Sequence, residues 1–311
     1  MSDFIINEEL NTIENLEFFA SQVVEGFITG LHKSPYHGFS VEFAEHRLYN
    51  PGETTRYIDW KLFARTDKLF VKRYEEETNL RCQIIVDRSS SMHFPVKKKL
   101  SSKEPNKIGF SILAAAALMN LFKKQRDAVG LSVFSNSVQL HTQAKTSTAH
   151  HQWLLNELEA LAIPFNENSR ETTNSVDSLH EIAERIHQRS LVVLFSDLLG
   201  DESQSHKLFS ALQHLKYNKH EVIVFHVIDR AKELEFDFDS RLHKFIDLET
   251  GEEMKVNPIE LQDEYFKNMS AFEKELKLKC GQYKIDFVPV DCSKGFEQIL
   301  LSYLLKRKKM V

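Results

Sequence analysis

The sequence lacks the marks of an exported, membrane-spanning or nucleotide-hydrolysing protein. Its three cysteines, Cys82, Cys280 and Cys292, are odd in number and fall at no metal-binding or redox spacing. They argue for a reducing compartment and ordinary core roles. No apolar run approaches the roughly 18 residues of a membrane span. The longest candidate, residues 108–122, is interrupted by Ser111 and Asn120 and reads as a buried helix. The first residues, "MSDFIINEELNTIENLEFF", carry acids where a secretory leader carries bases. A cytoplasmic location without direct membrane insertion is therefore expected. Net charge is a mild −5, and the basic runs at 97–99 and 306–309 are short. They lack the interleaved aromatics of a single-strand-binding groove, so no nucleic-acid partner is expected. No glycine-rich run ends in Lys-Ser or Lys-Thr, which excludes a P-loop.

What is present is an ordinary globular composition, 42% hydrophobic and 27% charged over 311 residues. Apolar residues recur at helical spacing from residue 11 to about 31 (Ile13, Leu16, Phe19, Val23, Phe27) and predict a helix ending near Gly30. The texture then changes to short alternating stretches, Phe39-Val41-Phe43 and Leu69-Val71, broken by Asn50-Pro51-Gly52. This predicts a small β-rich subdomain over 32–80, in which Trp60 is expected to anchor the core. Arg47, Arg56, Arg65 and Arg73 are expected to pair with carboxylates such as Asp59, Glu75 or Glu76.

From residue 81 to 311, buried strands alternate with helices. "CQIIVD", "AVGLSVFS", "SLVVLFSD", "HEVIVFHVID" and "KIDFVPVD" read as strands, and "SVQLHTQA" as the second arm of a hairpin turning at Ser135-Asn136-Ser137. Near-continuous Val/Ile/Leu strands separated by helices imply a doubly wound α/β fold with a mainly parallel sheet, because such strands are buried on both faces. Ligands of such sheets bind beyond the carboxyl ends of the strands. Asp87 and Asp197 both stand at such ends.

In "CQIIVDRSSSMHF" a strand ends in an acid followed by three serines. Asp87, Ser89 and Ser91 alternate, so in an extended loop they project to one side while Arg88 and Ser90 point to the other. A carboxylate and two hydroxyls are hard oxygen ligands that suit Mg²⁺. A second strand ends in Ser196-Asp197, and a polar loop carries Thr172 and Thr173. The simpler alternative is that the serines cap the next helix.

The pattern Asp-x-Ser-x-Ser, a later threonine and an Asp at the end of a further strand resembles the metal-ion-dependent adhesion site (MIDAS) of von Willebrand factor A domains. That resemblance implies one divalent cation, Mg²⁺ or else Mn²⁺ or Ca²⁺, surrounded by Asp87, Ser89, Ser91, Thr173 and Asp197, with Thr172 a close rival of Thr173. One coordination position would remain for an acidic side chain of a partner. The preceding segment resembles the bacterial family catalogued as domain of unknown function 58. The resemblance rests on Gly52, Arg56, Ile58-Asp59-Trp60, Ala64-Arg65-Thr66 and Glu76-Glu77-Thr78, and continues to "FIDLETGEEMKVNP". It implies a non-catalytic, metal-dependent protein-binding module, an adaptor or co-chaperone for a MoxR-type AAA+ ATPase.

Two other readings stand beside it. One is a metal-free scaffold with a degenerate cation site. The other is a Mg-dependent hydrolase, for which "DRSSSM" offers no glycine for a nucleophile elbow.

Overall fold

The computed structural model describes residues 15–32, 46–49, 60–72, 80–98, 101–166, 175–199, 205–294 and 299–303. Helix α1, Leu16–His32, buries Leu16, Phe19, Ala20 and Val24, one stripe at the helical period. Its start is held by the Leu16 amide donating to Glu159 Oε1 at 2.8 Å, and its flank by the Lys123–Glu17 ion pair at 3.0 Å. The chain divides into two compact units: Met1–Ile28 with Leu80–Val311, and Thr29–Asn79.

In the smaller unit, strands β1 (His46–Leu48) and β2 (Phe70–Lys72) pair antiparallel, as β-rich texture predicts. Between them lies a helix that the alternation concealed, α2, Trp60–Thr66. Trp60 corrects the expectation of a core anchor: it is 59% exposed. It opens the helix, and its ring meets Phe63 edge-on at 6.1 Å, one turn along the same surface. Arg65 is exposed at the end of the same helix. Arg56, Arg73, Asp59, Glu75, Glu76 and the Phe39-Val41-Phe43 stretch lie outside the described residues.

The larger unit is built on a six-stranded sheet. Strand β3 (Arg81–Asp87) runs parallel to β4 (Ala128–Phe134) on one side and to β6 (Leu191–Ser196) on the other. Strand β5 (Val138–His141) forms the predicted hairpin with β4 and is antiparallel. Strands β7 (Glu221–Ile228) and β10 (Asp286–Asp291) continue the parallel run, giving the order β10-β7-β6-β3-β4-β5. Every residue of β4 and β6 is buried, as expected for strands covered on both faces.

Helix α3 (Lys107–Lys124) packs on β3, β4 and β7, with α4 (Thr148–Ala160) beside it. On the opposite face, Ile85, Val192, Leu194, Val222 and Val224 meet α5 (Ser175–Arg185), α6 (Ser205–Tyr217) and Leu276 of α7 (Pro258–Gln282). This is the doubly wound α/β arrangement, with a mainly parallel sheet between helices, expected from the strand and helix order.

A second antiparallel hairpin, β8 (His243–Ile246) with β9 (Glu253–Val256), stands apart from the sheet. The three cysteines are free and buried. Among the described residues no helix is long and apolar enough to cross a membrane.

Candidate cation and partner site

Asp87 is the last residue of β3 and is 1% exposed. Its Oδ1 accepts the Ser89 amide at 2.9 Å and its Oδ2 accepts the Ser196 hydroxyl at 2.6 Å. Beyond it the chain does not stay extended: Ser90–His93 winds a single 3-10 turn. Ser89 Oγ and Ser91 Oγ lie 3.0 Å apart, while Arg88 and Ser90 line a cavity that neither Ser89 nor Ser91 lines. The Ser89 hydroxyl does not cap the 3-10 turn, so this serine is not explained as a helix cap.

Two further contacts fix the loop. The Arg88 amide donates to the Phe134 carbonyl at the end of β4, 2.8 Å away. Asn106 caps α3 by accepting the Gly109 amide at 3.0 Å, and its own amide donates to the His93 carbonyl at 3.0 Å. The cap therefore holds the start of α3 against the serine turn. Lys107 follows directly, its side chain wholly buried.

The Lys107 ammonium donates to Asp197 Oδ2 at 2.8 Å and also to Glu233 Oε1. Asp197 stands one residue past β6, and its other oxygen accepts the Leu199 amide at 3.2 Å. Leu198 between them has φ of 50°, a left-handed conformation that a bulky residue rarely adopts. It is held there by burial in the core and by its amide donating to Ser196 Oγ at 3.0 Å. Glu233 belongs to a one-turn helical segment, Arg230–Leu234, after β7, and its second oxygen accepts the Asp229 amide at 2.8 Å.

Burial raises Asp87 to about 7, and the neighbouring Asp197 charge adds to the rise, while the Ser196 and Ser89 hydrogen bonds act against it. Burial also pushes Glu233 up, with Lys107 opposing. For Lys107, burial favours the neutral amine, yet Asp197 and Glu233 together outweigh it and hold the ammonium above its usual range. His226, buried on β7, is pushed down to about 4 by burial. Neither of its ring nitrogens has a hydrogen-bond partner of ordinary geometry, although the charge of Asp197 and then its backbone favour the protonated ring. Asp197 and Glu233 share one buried ammonium, Lys107, and Asp87 lies within reach of the Asp197 charge. Fully ionised, the group carries a charge of −2.

The structure thus brings Asp87, Ser89 and Ser91 together with Asp197 beside them, while Thr173 and Thr172 lie outside the described residues. Among the described residues no group of three or more His, Cys, Asp or Glu is placed to hold a metal ion. A cation here would rely on serine hydroxyls. Sequence reasoning missed Lys107 and Glu233. For Lys107 a signal existed: a lysine in the first turn stands at the wrong end of the helix dipole and opens an otherwise apolar helix, so it needs an acid elsewhere. Glu233 had no such signal.

The class of protein is now defined: a doubly wound α/β domain with an oxygen-rich cluster at the strand ends, preceded in sequence by a small unit of its own. The profile of the family described as "Protein of unknown function DUF58" matches residues 45–275, and the chain belongs to that family. The uncharacterized proteins Mb1516 of Mycobacterium bovis and Rv1480 of Mycobacterium tuberculosis are each 25% identical to the chain over 217 residues. The match takes in 70% of this chain and spans 64% of the length of those relatives.

Among solved structures, the chain is similar to the conserved hypothetical protein BatB from Bacteroides thetaiotaomicron (TM-score 0.44, 15% identity, 75% of this chain and 100% of that one). It is also similar to an aerotolerance-related membrane protein from Bacteroides fragilis (0.45, 12%, 73% and 99%) and to the SpRpn10 VWA domain (0.38, 13%, 73% and 95%).

Proposed function

We propose that the chain is a non-catalytic protein-binding module that grips an acidic side chain of a partner through one divalent cation. Asp87, Ser89 and Ser91 would hold the cation, with Asp197 and a threonine of the following loop, Thr173 or Thr172, completing its shell. The observation that carries this reading is the buried Asp87 carboxylate with paired serine hydroxyls beside it, in a group whose carboxylates outnumber its ammonium by two. Hard oxygen donors and a charge deficit of that size suit Mg²⁺ or Mn²⁺. The cation would supply charge for the partner's carboxylate to meet, and losing either side would leave a charge unsatisfied.

The partner we infer, from family resemblance, is a MoxR-type AAA+ ATPase, which the chain would serve as adaptor or co-chaperone. A hydrolase reading gains no support from Ser89 and Ser91. They hydrogen-bond to each other, and no described histidine reaches either of them.

One observation favours a second reading, a metal-free scaffold: Lys107 already sits on Asp197, the role an external cation would share. Titration calorimetry with Mg²⁺ and Mn²⁺ separates the two. Saturable binding by the native chain, abolished in an Asp87→Ala, Ser89→Ala variant that keeps its circular dichroism, is expected. Binding of a purified MoxR-type ATPase should then weaken with chelator. Absence of cation binding in the native chain would leave the scaffold reading in place.

A further inference from the structure

The loop that follows β3 has a second side. Arg88, Ser90 and His93 line a cavity of about 150 Å³, closed from the other direction by Ile163, Pro164 and Phe165 just after α4. None of the described residues lining it is acidic. Arg88 is half-buried, and its guanidinium makes one hydrogen bond, to the amide oxygen of Gln139 at 2.9 Å, with no ion pair among the described residues. Guanidinium carries five N–H donors in a planar fork, so most of its donor capacity meets no acceptor among the described residues. Partial removal of that charge from water with no described anion beside it is unfavourable and raises its attraction for an incoming carboxylate. The facing wall is apolar and aromatic except for Asn166, and the Phe165 ring lies against His93 at 5.5 Å between centroids.

We propose that this cavity is a binding site for a carboxylate carried on a short apolar stem. The carboxylate would pair with Arg88 in the bidentate geometry that a planar fork favours. The stem would lie against Ile163, Pro164 and Phe165. The volume suits one such group and not an extended ligand. A glutamate side chain of a partner and the terminal carboxylate of a peptide share this chemistry. The site lies on the same loop as the proposed cation site but does not depend on it, because neither Asp87, Ser89 nor Ser91 lines the cavity.

The test uses the full chain in EDTA, so that failure of the cation reading leaves it untouched. The probe is 3-phenylpropionate, compared with its neutral isostere 3-phenylpropanamide by calorimetry and saturation-transfer NMR. A fragment of this size should bind with a Kd of about 1 mM. The amide should bind at least about tenfold more weakly, the loss expected when a charge-assisted pair is removed. Arg88→Gln should reduce binding of the acid by a similar factor, and Phe165→Ala should reduce acid and amide alike. Two acetylated tripeptides then distinguish the sources, Ala-Glu-Phe with an amidated end and Ala-Ala-Phe with a free one. The tighter binder identifies the natural group. Equal binding of acid and amide, no effect of Arg88→Gln in a folded variant, or no saturation by about 10 mM acid would overturn the proposal.

Discussion

Lys107 carries a full charge to a place that water does not reach, and its two partners come from the residue after β6 and from the turn after β7. Removing it would leave Asp197 and Glu233 buried against each other with no cation between them. Lys107→Met is therefore expected to destabilise the chain by about 3–5 kcal/mol, the usual consequence of breaking a buried pair from one side. Urea denaturation of the variant measures this directly. The triple variant with Asp197→Asn and Glu233→Gln should recover much of the loss, because groups in one network are not additive. If the single variant loses less than about 1 kcal/mol, the ammonium is not holding the cluster together.

At the scale of elements, β4 shows how close the backbone approaches are within the sheet. A methyl group on Gly130 would meet Gln83 Oε1 and come within 2.7 Å of the Thr142 carbonyl oxygen. Gly130→Ala is expected to lower the unfolding free energy by about 1–3 kcal/mol, because a strand held on both sides has no room to shift. Differential scanning calorimetry would register a fall in Tm, and an unchanged Tm would mean that the strand moves aside freely.

Elements such as these were legible in the sequence because parallel strands are buried on both faces and advertise themselves as unbroken apolar runs. The β8–β9 hairpin was not, since its strands are short, half-exposed and mixed with charge. Helix α2 hid behind alternation that imitates a strand. In the site, Asp87, Ser89 and Ser91 were legible because they are neighbours in sequence. The Lys107 pairs span 90 and 126 residues, and only the fold brings them together.

For the molecule as a whole, the charge of the site enters the stability of the fold through protons and cations. Asp87 has an ordinary pKa of 3.8 and stands at about 7 when folded. Between those values the folded chain keeps a proton that the unfolded chain has released, so this group makes the fold less stable as pH rises through that window. Glu233, also raised, acts in the same sense. His141, His150, His151, His220 and His226 are all lowered by burial and act in the opposite sense until the pH passes their ordinary 6.5.

Comparison of the native chain with Asp87→Asn cancels the histidines. In EDTA the asparagine variant should gain on the native chain as pH rises from about 5 to 8, followed by thermal melts. Mg²⁺ should reverse that gain, because a bound cation favours the ionised carboxylate. At about 100 times its Kd a single cation adds about 2.7 kcal/mol, which amounts to several degrees in Tm. Below pH 7 the cation must displace the Asp87 proton, so its affinity should fall towards tenfold per pH unit and the shift should shrink. A Tm shift that is the same at about pH 6 and pH 8, or equal in the Asp87→Asn variant, would place the cation elsewhere. No shift at either pH would leave Lys107 as the resident cation of a scaffold that binds its partner without metal.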